Sequence, residues 1–277
     1  MRTQSINTYI TYALLILVAI IILVPIAWIV INSLKYFKDI ISFDYFGSPW
    51  TLYNYEVVLL NPSETIVPQI FTSVLYIVST IAVVIPLSMF AGYALARLPY
   101  NSLFRFITLN FFIFSRVFPA TAIAVPYFAA FSQAGLYDNP IALIFVYILR
   151  GMPLAIFMIM TFISEIPKEV EEAALIDGVS TTAMITKIIL PLIRPGLAAT
   201  AIFVTIYTWN DFTLAAFLAG KNAANIQIAI SQFNAEQFIR WGELNAAVVI
   251  AAIPVLIFLW LIQKHLIRGL TFGAVKA

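Results

Sequence analysis

Residues 164–192 read SEIPKEVEEAALIDGVSTTAMITKIILPL. The first half carries four glutamates, Glu165, Glu169, Glu171 and Glu172, and the second half runs through Ser180 and Thr181 to Ile188, Leu190 and Pro191. The pattern predicts two short helices joined by a turn. Ser164 is placed to cap the first, Pro167 is acceptable in a first turn where an N–H has no partner, and the glutamates suit the positive end of the helix dipole. Gly178 stands where a helix closes with a left-handed residue, and Ser180 or Thr181 can cap the helix that follows. Pro191 and Pro195 mark the end of the segment.

On either side the chain is overwhelmingly apolar. Of its 277 residues 62% are hydrophobic and 10% charged, with a mean hydropathy of +0.99, whereas soluble chains carry about a quarter charged residues. Its principal solvent is therefore lipid. Six stretches reach the ~20 apolar residues that cross a hydrocarbon core of about 30 Å: residues 10–33, 69–96, 104–131, 140–163, 196–219 and 244–266. The first follows Arg2 but outruns a signal-peptide core of roughly 7–15 residues and has no small-residue cleavage site, so it is expected to be retained as a span. Six spans put both termini on one side. On that side fall Arg2, Arg97, Arg105, Lys168, Lys187, Arg194, Lys264, Arg268 and Lys276, against Lys35, Lys38, Lys221 and Arg240 opposite. The excess of basic residues predicts that the termini and residues 164–195 are cytoplasmic. Prolines 25, 86, 119, 126, 153 and 254 recur inside the spans, which suits a bent bundle enclosing a path better than straight anchors.

Several function classes are excluded or disfavoured at this level. Without cysteine there is no disulfide framework or thiolate metal site. The lone histidine, His265, stands among Lys264 and Arg268 as an interfacial side chain rather than a ligand, so no metal is expected. A net charge of +2 without a basic stripe gives no reason to expect nucleic acid. No nucleophile–base pair is evident and no catalytic residue is assigned, so the chain itself is not expected to be an enzyme.

Within the loop, Glu172, Ala173 and Ala174, then Gly178, then Ile188, Leu190 and Pro191 resemble the EAA loop of ABC importer permeases: Glu-Ala-Ala, three residues, Gly, nine residues, Ile, one residue, Leu-Pro. Every fixed position is filled. Residues 167–178, the Trp209-Asn210-Asp211-Phe212 element and the ending from Arg268 to Lys276 are similar to the carbohydrate branch, whose members include maltose, trehalose and glycerol phosphate permeases. The resemblance spans the chain. It implies an all-α integral membrane protein of six transmembrane helices with the type I ABC importer permease (MetI-like) fold, one permease domain over residues 1–277 with a cytoplasmic coupling loop at 164–195. It also implies that Glu169, Glu172, Ala173, Ala174, Asp177, Gly178, Ile188, Leu190 and Pro191 form the element seated on an ATPase. No Gly-x-x-x-x-Gly-Lys-Ser/Thr occurs, Gly220-Lys221 being the nearest dipeptide, so ATP and Mg belong to a separate ATPase chain. The implied partners are a second, distinct six-span permease, two ABC ATPases and an extracytoplasmic sugar-binding protein, with a sugar or related polyol as cargo.

Charges inside apolar spans are costly, which makes Arg116, Arg150 and Asp211 candidates for function. Two readings stay open for the arginines, substrate contact or snorkelling to an interface, and two for Asp211, lining the path or bracing the bundle. Asn210, with Tyr207 three residues before it, is a candidate sugar contact that combines an amide with a flat aromatic face; interhelical packing is the alternative. The competing function is an ion-driven secondary transporter. Such proteins show internal repeats and midplane carboxylates, and here there is no convincing repeat.

Overall fold

The computed structural model describes residues 2–45, 47–235 and 238–273. They form two compact units, residues 1–68 with 229–253 and residues 69–228 with 254–277.

In the first unit α1 (Arg2–Ser33) carries an apolar span over Ile10–Ser33 with none of that window buried in the chain. A helix apolar on all sides is at home in hydrocarbon. After it come α2 (Phe37–Ile41) and α3 (Tyr53–Leu60). The carbonyls that end α1 need donors, and α3 supplies one: the Asn54 amide donates to Ser33 O and Lys35 O, both at 2.9 Å. Lys35 is fully buried, its ammonium donating to Ser48 O at 2.6 Å and Ser48 Oγ at 3.1 Å and lying 4.2 Å from the Trp50 ring centroid. Arg240 closes the unit with a bidentate pair to Glu64 (2.8 and 3.0 Å) and a bond to Glu243 at 2.9 Å. The Glu64 hydrogen bonds, foremost, hold its guanidinium pKa above the ordinary arginine value.

The second unit is a bundle. Its elements in chain order are α4 (Val67–Arg97), α5 (Ser102–Val117), α6 (Ala120–Gln133), α7 (Pro140–Ser164), α8 (Lys168–Ile176), α9 (Thr181–Ala183), a π-helical stretch (Met184–Ile189), α10 (Leu190–Leu192), α11 (Arg194–Trp209) and α12 (Thr213–Leu218). Then come α13 (Ile226–Ser231), the hairpin strands β1 (Asn234–Ala235) and β2 (Phe238–Ile239), and α14 (Trp241–Gly273), which the two units share or the first unit holds. Among the second unit's helices, α5 and α11 pack on α7, and α12 packs on α6 and α7. Close crossings rest on small residues. A Cβ at Gly92 of α4 would meet the α7 backbone at Met160 N, 3.0 Å away, and one at Gly196 of α11 would enter the Phe162 ring.

Among the described residues four helices are single candidate spans: Ile10–Ser33, Val67–Arg97, Pro140–Ser164 and Trp241–Gln263. The third and fifth expected spans are not single helices, in keeping with a bent bundle. Residues 104–131 divide at Phe118–Pro119 into α5 and α6, with an 89° bend between Ser102–Ser115 and Ala120–Gln133. Pro119 has no N–H to give, and Phe118 before it is held extended (φ −63°, ψ 121°). Residues 196–219 are broken at 210–212, between α11 and α12. There the Asp211 carboxylate accepts from Leu214 N (3.4 Å) and Ala215 N (3.1 Å), so it starts a new helix rather than continuing the old one.

The loop at 164–195 folds as two helical pieces and a turn, with one revision. Ser164 is the last residue of α7, its hydroxyl donating to Met160 O at 2.8 Å, and Pro167 rather than Ser164 precedes α8. Gly178 is left-handed, φ 75°, and closes α8 with Val179 N to Ala174 O and Gly178 N to Leu175 O, both 3.0 Å. Ser180 Oγ then accepts from Ala183 N to begin α9. Through Met184–Ile189 the helix widens, with Leu190 N reaching back to Ile185 O, directly before Pro191, which has no N–H to give to the ladder. The chain turns by 81° between Thr181–Leu192 and Arg194–Trp209.

Candidate functional site: a docking helix and a hydrogen-bonded hub

The nine residues of α8 sort into two faces. Glu171 and Ala174, three apart and each 7% exposed, point into the protein. Ala174 packs in a cluster with Met89, Ile159, Ile163, Met184, Ile185 and Ile189. Lys168, Glu169, Val170, Glu172, Ala173, Leu175 and Ile176 are exposed, as is Asp177, and Ile176 is 86% exposed. Of the two alanines, only Ala173 therefore faces outward. Ile188 and Leu190 pack from the half-buried side of the same inner cluster, and Pro191 is half-buried beside them.

Glu171 is the residue that sequence reasoning missed. One of its carboxylate oxygens pairs with Arg97 Nε, and the other accepts from the Tyr93 hydroxyl at 3.0 Å. Arg97 Nη2 also donates to Ile163 O (2.9 Å) and Ile166 O (2.7 Å), satisfying carbonyls at the end of α7. One guanidinium thus joins α4, α7 and α8, with side-chain exposures of 10% and 9% for the pair. Removing one partner of such a buried pair typically costs about 3–5 kcal/mol. Nothing local distinguishes Glu171 from Glu172 in sequence except the helical spacing to Ala174, and Arg97 counted only as a charge at a span end.

At the other candidate site Asp211 is 9% exposed. Besides starting α12, its carboxylate accepts from the Tyr147 hydroxyl at 3.0 Å, and its backbone carbonyl accepts from the Asn225 amide. Gln227 Nε2 donates to Trp209 O at 3.1 Å. The segment at 223–226 is gripped in turn by α4, the Tyr76 hydroxyl donating to Ala223 O (2.7 Å) and Ile226 N donating to Ser73 Oγ (2.8 Å). Asp138, at φ 56°, adds a latch: its carboxylate accepts from the amides of Gly220 (2.7 Å), Asn222 (3.0 Å) and Ala223 (2.8 Å). Burial alone would raise its pKa, but these amide bonds outweigh that and hold the carboxyl below its ordinary range.

Tyr207 and Arg150 join this cluster. The Tyr207 ring stands 6.2 Å from Tyr147 edge-on, and the Arg150 guanidinium lies 5.7 Å from the Tyr207 centroid. Asn210 sits apart, exposed after α11, its amide donating to Ile206 O at 2.8 Å. Arg116 lies near the end of α5, and its side chain is outside the described residues.

Residues 84–272, which contain α8, the π-helical stretch and the Asp211 break, match the family of binding-protein-dependent transport system inner membrane components. The chain belongs to this family. It is 32% identical over 94% of both chains to the trehalose/maltose transport system permease protein MalG of Thermococcus litoralis. To the trehalose transport system permease protein SugB of Mycobacterium tuberculosis it is 34% identical, over 92% of each. A chain in the crystal structure of a bacterial ABC transporter involved in the import of the acidic polysaccharide alginate superposes with a TM-score of 0.75 at 21% identity, covering 95% of this chain and 98% of that one. This inner membrane component thus has the type I importer permease fold and is a multi-pass permease subunit of an ABC importer. The ion-driven alternative receives no support from these relatives.

Proposed function

We propose that this permease subunit lines half of the translocation path for a sugar, a di- or oligosaccharide such as trehalose or maltose or a related polyol or glycerol phosphate. It works beside one distinct second permease, two ATPases that hold the ATP and Mg, and an extracytoplasmic binding protein. Both termini and residues 164–195 are cytoplasmic. What carries the reading is α8: a helix pinned to the bundle by one face while the other offers Glu169, Glu172, Ala173 and Ile176, with Asp177 and the left-handed Gly178 ending it. An isoleucine left 86% exposed gains about 1.5–3 kcal/mol when fully covered. An ATPase groove is the occupant that a permease of this family has available. Ala174, Ile188, Leu190 and Pro191 support that face from within.

For the path, Tyr207, Arg150 and Asn210 are the proposed sugar contacts, together with Arg116, while Asp211 keeps them in place. The full complex, reconstituted with its binding protein, should hydrolyse ATP faster in the presence of trehalose or maltose, and Tyr207→Ala with Asn210→Ala should lower uptake without loss of assembly. Stimulation by an amino acid instead of any sugar or polyol would overturn the cargo assignment.

The orientation has its own test, helped by the absence of native cysteine. Ser180 and Ser63 are both exposed. Cysteines placed there are expected to react with an impermeant maleimide from opposite sides of the membrane, Ser63→Cys in intact cells and Ser180→Cys only after permeabilisation. The reverse order would invert the topology.

A further inference from the structure

Tyr93 and Arg97 lie four residues apart on α4, hence on one face, and both hold Glu171. At the other end of the same helix Ser73 and Tyr76 hold residues 223–226, whose Asn225 holds the Asp211 carbonyl. From Ser73 to Arg97 the helix rises about 36 Å at 1.5 Å per residue. A single helix therefore has directional grips at both ends, one on α8 and one on the hub.

The adjacent glutamates have opposite duties. Glu172 points out and Glu171 points in, so attachment to a partner and connection to the bundle fall on different side chains. Apart from the Glu171 cluster, α8 meets the bundle through apolar contacts of Ala174 with residues such as Met184 and Ile185. Packed apolar surfaces slide in shear motions. The charge-assisted bonds of Glu171 and Arg97 fix orientation as well as distance. We infer that Tyr93, Arg97 and Glu171 are positioning residues that make α8 and α4 move as one lever, delivering displacement of the docking helix to residues 223–226 and the Asp211 hub.

The inference rests on α8 being the ATPase-docking helix. Its test uses the complete importer in lipid nanodiscs or liposomes, with spin labels on Lys168→Cys and Leu98→Cys, both exposed positions. In the otherwise unaltered complex the distance between the labels should be the same in nucleotide-free and ATP-trapped states. In Glu171→Gln it should differ between those states or broaden, and sugar transported per ATP hydrolysed should fall roughly fivefold or more, with ATPase still attached. Tyr93→Phe, which removes one hydroxyl and keeps the ring, should show a smaller change in the same direction. An unchanged transport ratio in Glu171→Gln would overturn the inference, as would a label distance that already changes in the unaltered complex. So would loss of ATPase attachment in step with transport, which would make the cluster a support for folding alone. Failure of the docking reading itself looks different: ATPases would remain bound when the outward residues Glu172 and Ile176 are replaced.

Discussion

In an Ile176→Asp variant the ATPase subunits are expected to be missing from the purified complex. Covering Ile176 contributes about 1.5–3 kcal/mol, and its replacement by an unpaired carboxylate adds desolvation to that loss. The two together weaken attachment on the order of a hundredfold or more. Gly178 should follow through a different cause. Among the described residues nothing beyond its immediate chain neighbours lies within 4 Å of where its Cβ would stand, so substitution is limited by the backbone at φ 75° and not by space. Valine there adds strain of about 1–3 kcal/mol, alanine less, and asparagine least, because asparagine tolerates the left-handed region. Attachment measured by co-purification should therefore rank Asn, Ala, Val. Wild-type ATPase content in both Ile176→Asp and Gly178→Val would mean that another surface does the docking.

The second large effect is expected at Asp211. Alanine there leaves the buried Tyr147 hydroxyl without its acceptor, at about 1–3 kcal/mol, and removes the start of α12, at about 0.5–2 kcal/mol. The thermal midpoint of the detergent-solubilised complex should drop clearly for Asp211→Ala and less for Asp211→Asn, which keeps an acceptor oxygen. A sugar ligand would behave otherwise, losing uptake while the midpoint stayed put. An unchanged midpoint in the alanine variant would remove Asp211 from its bracing role.

Most of the architecture was legible because it follows from length and hydropathy: apolar runs of span length mark the membrane crossings whatever their neighbours do. Gly178 and Ser180 were legible for a local reason, since a left-handed closure and a hydroxyl cap need only a few adjacent residues. The break at 210–212 was not. Its cause is a carboxylate that turns inward to Tyr147, 64 residues away, and a hydropathy window cannot register that contact. The same holds for the two glutamates of α8. Glu172 belongs to a recognisable pattern, whereas Glu171 acquires its importance from Arg97, 74 residues earlier. Pro119 lay between: its identity announces a possible bend, but many membrane helices absorb proline, and the bend depends on the surrounding packing.

The π-helical stretch at Met184–Ile189 behaves like a spare letter in a word. A helix with such a turn holds one residue more than its α-helical length has room for, and every side chain after it is turned by about 100° from where an unbroken α-helix would set it. Ile193, beyond the stretch, is buried in that shifted phase. The wide turn is thus where this segment absorbs its extra residue: a chain one residue shorter there would close as an ordinary α-helix and leave Ile193 in the phase it has now, whereas a deletion in an unwidened turn would rotate everything beyond it by about 100°.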